Sequence, residues 1–172
     1  MFVDELKSNL FTVAKDAKAG VTFTDSVEKY RLIGYDAKRI SEDDFNNENA
    51  DTGEIGSNLC VTALYEIVLS EQAEGKLADI EVRYKDVSQS EVSESVTCSA
   101  YIDTPSTDDL AFISCVAEFG LILRNSAYKA DASISSVLAR LNGLSKYMAN
   151  DSYKQEFVSL VEKASKMASY KQ

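Results

Sequence analysis

The sequence predicts an α+β fold, in which an antiparallel β-sandwich-like part comes first and about three packed helices follow. Before the single proline, Pro105, apolar and polar side chains repeatedly alternate, as they do in half-buried strands. After Pro105 the apolar residues recur at helical spacing. Strands that precede helices, rather than alternating with them, are typical of α+β proteins.

Five runs in the first part carry the strand pattern. The run Val61–Leu69 is apolar on both faces, which predicts a central strand buried on two sides. The last two runs alternate strictly and are joined by the polar residues 86–91, which predicts a hairpin. In order, the runs are residues 21–24, 30–35, 61–69, 78–84 and 96–102.

Three helices are predicted after the proline. The first, Asp109–Arg124, is apolar almost all round and is expected to be the buried one, with Ser106 or Thr107 as its N-cap. The second begins near Ser133. The third begins at Asp151 or Ser152 and carries one apolar face, made of Tyr153, Phe157, Leu160, Val161, Ala164 and Met167.

The domain organisation follows from this order. Residues 1–172 are expected to form a single domain with a β-rich part, 11–104, and a helical part, 106–170. Residues 2–10 place Phe2, Leu6 and Leu10 on one stripe of a short helix that lacks a cap. We interpret this helix as the junction with an upstream module, so the chain is expected to be a piece of a larger protein.

Composition excludes several classes of function. The chain has 172 residues, a net charge of −10 and an isoelectric point near 4.5, which argues against nucleic acid as a partner. The absence of histidine removes catalytic triads and histidine–metal sites. The most apolar run, Leu110–Leu123, is too short to cross a membrane, so no direct membrane insertion is expected. We predict no enzyme, no cofactor and no catalytic, cofactor-binding or metal-binding residues.

Three features leave alternatives open. Cys60, Cys98 and Cys115 each lie in an apolar segment, which favours buried free thiols, with one disulfide as the alternative. The tyrosines of the strand runs suggest either a carbohydrate- or protein-binding face or, more simply, cross-strand packing. These tyrosines are Tyr30, Tyr35, Tyr65 and Tyr84.

The third feature is an acidic stretch at residues 42–54, in which six acids fall within 13 residues. Oxygen ligands of this kind suit Ca²⁺, but Asn49 stands where the calcium loop of an EF-hand needs glycine. A solvated surface loop is the simpler interpretation, with Gly53 and Gly56 supplying turn geometry. The acids are Glu42, Asp43, Asp44, Glu48, Asp51 and Glu54.

Three segments, in this order, carry a resemblance to a known family. They are FVDELKSNLFTVAKDAK, YRLIGYDAKRISEDDFNNENADTGEIGSNLCVTALYEIV and VAEFGLILRNSAYK. The chain resembles, over essentially its whole length, the C-terminal domain of bacterial von Willebrand factor type A proteins of the YfbK type. It departs from the family at Ala17, Ala19 and Gly20, and at Asp25 and Ser26, which affects strand packing and one turn.

The resemblance implies architecture more than activity. In such proteins this domain follows a type A module, whose metal-binding Asp-x-Ser-x-Ser motif is absent from this chain. The implied partner is that upstream module, with other envelope or extracellular proteins as further partners. The implied location is periplasmic or extracellular, through a parent that is often a membrane-anchored lipoprotein. The implied role is a non-enzymatic accessory domain that supports adhesion or protein–protein interaction; the alternative is an independent binding module with a cation- or partner-binding acidic loop.

Overall fold

The computed structural model describes residues 11–34, 45–47, 53–57, 59–89 and 93–168. The helix predicted at residues 2–10 lies outside the described residues, and so does most of the acidic stretch. The chain divides into two compact units, a sheet unit that ends at Thr104 and a helical unit that begins at Pro105. The prediction that all residues form a single domain stays a prediction.

The described part of the sheet unit contains six strands in two antiparallel sheets. Four strands form one sheet in the order β3-β1-β5-β6, and two form the other in the order β2-β4. Antiparallel sheets followed by helices confirm the predicted α+β class. The strands are β1 (Thr12–Phe23), β2 (Val27–Ile33), β3 (Gly53–Gly56), β4 (Leu64–Leu69), β5 (Lys76–Asp86) and β6 (Ser93–Tyr101).

The central pair of the four-stranded sheet contains a β-bulge. Lys15 pairs with Lys85 and Lys18 pairs with Arg83, so β1 has one residue more than β5 between these two pairs. Asp16 lies in the bulge with a φ of 51°, and its carboxylate is 2.8 Å from the ammonium of Lys85. The extra residue places Lys15 and Lys18 on the same face of the sheet.

Two expectations for the sheet unit are wrong. The run 61–69 is not a central strand: β4 belongs to the two-stranded sheet, and Val61, Val68 and Leu69 are exposed. Both strands of a two-stranded sheet are edge strands. Apolar residues on both faces of the run therefore did not show that it is a central strand. Gly53 and Gly56 do not form a turn either, because they begin and end β3, which pairs with β1.

The predicted hairpin is confirmed. β5 and β6 pair antiparallel in a register that matches Ile80 with Cys98 and Val82 with Val96. A short 3₁₀ turn, Val87–Gln89, follows β5 directly.

The helical unit contains the three predicted helices and one additional turn of helix. Thr107 and Ser133 are N-caps, as expected, and the Ser133 cap is a reciprocal capping box with Ser136. A 3₁₀ turn, Ala127–Lys129, separates the first two helices. The helices are α1 (Asp108–Leu123), α2 (Ile134–Gly143), α3 (Ser145–Met148) and α4 (Ser152–Ala168).

The helices enclose a small apolar core. Cys115 and Phe119 of α1 pack with residues of the other three helices, and edge-to-face ring contacts link Phe157 to Phe112 and Phe119. Arg140 of α2 pairs with Glu118 of α1 at the border of this core. The buried residues are Cys115, Phe119, Val137, Leu141, Met148 and Val161.

Two helix faces are more exposed than predicted. The helix α1 is not buried all round, since Leu110, Val116 and Leu123 are exposed. On α4 the predicted apolar face is split: Val161 is fully buried, whereas three residues at heptad spacing face solvent. Those three are Tyr153, Leu160 and Met167, and Met167 is 71% exposed.

Candidate functional site

The four-stranded sheet has one polar and one apolar face. Side chains alternate along each strand, so residues in register across β1, β5 and β6 share a face. The polar face carries Lys18, Gly20, Thr22, Asp79, Glu81, Arg83, Ser95, Thr97 and Ser99, and the apolar face carries Ala19, Val21, Phe23, Ala78, Ile80, Val82, Val96, Cys98 and Ala100.

An ion pair lies at the middle of the polar face. Two nitrogens of Arg83 donate to the two carboxylate oxygens of Glu81, at 2.8 and 3.2 Å, and the hydroxyl of Ser95 donates to Glu81 at 2.8 Å. The hydrogen bonds from Arg83, and then that from Ser95, lower the pKa of Glu81 from its usual value. This carboxylate is therefore held in its charged form, which does not suit a general acid.

Residues 45–47 pack on the polar face. The ring of Phe45 lies over Gly20, where an added Cβ would approach the ring to 2.9 Å. Lys18 is only 8% exposed as a residue, and its ammonium donates to the carbonyl of Asn47 at 2.6 Å. Arg83 donates to the carbonyl of Phe45 and to the side chain of Asn46, at 3.4 and 3.3 Å. Two cations and a glycine thus hold this short segment against the sheet.

A groove of about 700 Å³ runs along β1 beside this segment. A second groove, of about 320 Å³, shares Glu81 and Arg83 with it and continues toward Ser93 on β6. The first groove is the candidate site of the sheet unit that we consider further. It is lined by Ala19, Gly20, Val21, Thr22, Phe23, Tyr30, Phe45, Asn46, Glu81 and Arg83.

An aromatic cluster borders this groove. The rings of Phe23 and Tyr30 are stacked with 4.3 Å between their centroids, and Tyr65 contacts Phe23 edge-on at 5.4 Å. The prediction of packing between strands is thus confirmed for Tyr30 and Tyr65, although Tyr30 is also 61% exposed. Tyr84 makes a cross-strand contact through its hydroxyl, which donates to Glu94 at 3.0 Å and whose pKa this bond raises. Tyr35 lies outside the described residues.

The apolar face is only partly covered. Ala78 is buried near the aromatic cluster, but Val96 is 56% exposed and Cys98 is exposed. Apolar side chains that face solvent together on one sheet are typical of an interaction surface.

The three cysteines are free thiols, and the expectation that all are buried is wrong for two of them. Cys115 is buried, and burial raises the pKa of its thiol. Cys60 and Cys98 are exposed because one precedes an edge strand and the other lies on the outer strand β6.

The acidic stretch contributes little to the described surface. Its described acid, Glu54 on β3, accepts a hydrogen bond of 3.0 Å from the hydroxyl of Thr12. The other five acids lie outside the described residues. Within the described ranges, acids and cysteines form no cluster of three that could hold a metal ion.

Of the groove residues, the sequence singled out only Tyr30, as part of a binding face, with cross-strand packing as the simpler interpretation. The contact of Phe45 with Gly20 joins positions 25 residues apart, and no local pattern indicates it. One signal in the sequence could have indicated the contact: Gly20 stands where the family pattern has a bulkier residue. A glycine inside a strand often marks the close approach of another group. No described helix is long and apolar enough to cross a membrane.

Comparison with known proteins agrees with the resemblance inferred from the sequence. The chain matches the family described as the C-terminal region of the uncharacterised protein YfbK, over residues 8–80 and 69–167. The chain belongs to this family. The uncharacterised protein YfbK of Escherichia coli strain K12 is 31% identical over 182 aligned residues, which cover 93% of this chain. The chain spans 31% of the length of that relative. No solved structure shows a significant match.

Proposed function

We propose that this chain is a non-enzymatic accessory module of a longer bacterial envelope protein, in which it packs beside a von Willebrand factor type A module. The observation that carries the proposal is the partly covered apolar face around Val96 and Cys98. The match to about a third of a longer relative supports a role within a larger protein.

The apolar face has the chemistry of a protein contact. Val82 and Ile80 are half-buried at its centre, while Val96 and Cys98 on the outer strand face solvent. Exposed valine favours burial by about 1.5–3 kcal/mol per side chain, and a partner protein supplies that burial. In the parent protein this partner is the type A module.

The helical unit offers a second exposed stripe. Tyr153, Leu160 and Met167 repeat every seven residues along the outer side of α4. A heptad repeat of apolar residues suits packing against another helix. This stripe is the surface proposed for further envelope or extracellular partners. The proposed location is periplasmic or extracellular, with the parent lipoprotein providing the membrane anchor.

Thiol labelling in the longer protein tests the proposal. The reaction of Cys98 with a maleimide is measured in this chain alone and in the full-length parent that contains it. Cys98 is expected to react at least tenfold more slowly in the parent, because the type A module covers the apolar face, whereas Cys60 serves as the exposed internal control. Equal rates for Cys98 in both proteins would contradict the proposal.

A matched pair of variants separates contact from folding. Val96→Glu places a charge on the apolar face, and Thr97→Glu places the same charge one residue along on the polar face. Only Val96→Glu is expected to restore fast labelling of Cys98 in the parent. Restoration by both variants would indicate a general loosening of β6 instead of a specific contact.

The alternative function, cation binding by the acidic stretch, stays a prediction since five of its six acids lie outside the described residues. Calorimetric titration with Ca²⁺ decides it. Heat with a rise in melting temperature at millimolar Ca²⁺ would support it, and the absence of both would remove it.

A further inference from the structure

We infer that the outer edge of β1, from Ala19 to Phe23, binds an extended peptide by strand addition, and that the preferred peptide alternates apolar and basic side chains. This inference goes beyond the proposed function, because it concerns the backbone edge of β1 and not the apolar side chains around Val96.

The hydrogen bonds of β1 show which backbone groups face this edge. The N–H of Thr24 donates to the carbonyl of Leu77 at 2.9 Å, in register with the β1–β5 pairing. In an antiparallel ladder, the backbone groups of successive residues point to opposite sides. Thr22 and Gly20 therefore face β5, and the outward-facing residues are Ala19, Val21 and Phe23.

In the described part of the chain these outward groups have no hydrogen-bond partner. β3 covers the same edge only as far as the pair Ala17–Gly53. The described strands include none that pairs with the outer side of the segment 19–23, and no described loop bonds to it. A row of exposed N–H and C=O groups next to an existing strand is a template for a further strand.

The larger groove provides the space for that strand. The groove of about 700 Å³ lies along residues 19–23. Phe45 borders it on the polar side, where its ring lies over Gly20. Tyr30 borders it on the apolar side, where its ring is stacked on Phe23. In the inferred complex, the extended peptide lies between the rings of Phe45 and Tyr30, and its backbone pairs with the open edge of β1.

The two sides of the groove define the peptide. Successive side chains of an added strand point to opposite faces. One set meets Val21, Phe23 and Tyr30, which favours apolar residues. The other set meets Glu81, Arg83 and Asn46 on the polar face. Because Glu81 and Arg83 form an ion pair, the charge that acts on the peptide is the protein's net charge of −10. That charge favours basic residues and disfavours acidic ones.

Nuclear magnetic resonance with a synthetic probe tests the inference. The probe is a capped peptide of about eight alternating Lys and Val residues, titrated into this chain. Binding is expected to slow hydrogen exchange at the amides of Ala19, Val21 and Phe23, and to leave the amides of Gly20 and Thr22 unchanged because they already face β5. Equal protection of all five amides, or no spectral change at about 1 mM peptide, would overturn strand addition.

Control peptides and variants make the result specific. Two control peptides keep the same side chains but carry N-methyl groups at alternate residues, one at the odd positions and the other at the even positions. At least one of them is expected to bind roughly tenfold more weakly than the unmethylated peptide, because it lacks the N–H groups that would bond to β1. Val21→Pro, which removes an outward N–H without touching the β5 ladder, should weaken binding similarly. Val21→Ala, which shortens a contacting side chain but keeps the N–H, should weaken binding less than Val21→Pro. Unchanged affinity of both methylated peptides would overturn the inference even if Val21→Pro fails to fold.

Two further comparisons isolate the charge and the surface. A peptide of alternating Glu and Val is expected to bind at least tenfold more weakly than the Lys peptide, and equal binding would overturn the basic preference. Val96→Glu should leave peptide binding unchanged, so the failure of strand addition and the failure of the proposed packing surface give different results.

Discussion

The guanidinium of Arg83 lies over the ring of Phe45, with 4.5 Å between its central carbon and the ring centroid. The same group donates to the carbonyl of Phe45 and, through two nitrogens, to Glu81 on its own strand. Arg83 of β5 thus holds Phe45, which borders the groove along β1, by stacking on its ring and by hydrogen bonds.

Arg83→Lys is expected to weaken the attachment of residues 45–47 to the sheet. Lysine keeps the charge, but its ammonium cannot form the planar contacts with Phe45, Asn46 and Glu81. Hydrogen exchange at the amides of Asn46 and Asn47 should become faster. The control is Arg31→Lys, which alters the pair with Glu66 in the two-stranded sheet. If both variants leave those two amides unchanged, Arg83 does not hold the segment.

The reactivity of the thiols should follow their exposure. In the folded chain at mildly alkaline pH, Cys60 and Cys98 are expected to react with a maleimide within minutes. Cys115 should react only after unfolding, because it is buried and its pKa is raised by burial. Mass spectrometry of the labelled chain counts the modified thiols. Labelling of Cys115 at the rate of the other two would show that the helical core opens readily.

The helical core should respond strongly to a cavity. Leu141→Ala removes a fully buried side chain and is expected to lower the free energy of unfolding by about 2–5 kcal/mol. Leu123→Ala deletes the same atoms where the side chain is 62% exposed and should change it by less than about 0.5 kcal/mol. Urea denaturation followed by helical circular dichroism measures both. Similar losses in the two variants would contradict the core described for this unit.

Asp151 should make the helical unit sensitive to acid. Hydrogen bonds from the Lys154 side chain, first, and from its backbone lower the pKa of Asp151 below the usual value of 3.8. A lowered folded-state pKa stabilises the fold above the usual value, and this stabilisation is lost as the pH falls through the lower, folded-state value.

In the Asp151→Asn variant, the free energy of unfolding is therefore expected to fall less steeply as the pH drops below about 4. Asparagine still accepts the helix-capping bond from the N–H of Lys154, so α4 should keep its start. Asp131→Asn, in an exposed turn, removes the same charge as a control. Urea midpoints measured at several acidic pH values should differ in slope only for Asp151→Asn, and parallel curves for all three proteins would exclude this role.

Local signals in the sequence predicted the helices and their starts well. Thr107 and Ser133 cap helices because a hydroxyl placed directly before an apolar periodic run satisfies the free N–H groups of the first turn. The hairpin of β5 and β6 was predictable for a similar reason, since strict alternation continues on both sides of a short polar segment.

Which faces are covered could not be predicted in the same way. Tyr153, Leu160 and Met167 lie on the predicted apolar face of α4, yet they face solvent. The helical core packs against Phe157, Val161 and Ala164 of the same helix and does not reach them. The strand β4 is apolar on both faces, but only β2 pairs with it in the described sheets. The groove depends on contacts such as Phe45 with Gly20, which join distant parts of the chain.

The bulge at Asp16 lets β1 tolerate the loss of one residue at this point. Without the extra residue, β1 and β5 would pair one-to-one between the pairs Lys15–Lys85 and Lys18–Arg83. Lys18 and Gly20 would then stay on the charged face, and the ring of Phe45 and the outward amides of the edge would keep their places. A deletion between Lys18 and Phe23 has no extra residue to remove, so there it would turn the following side chains to the opposite face.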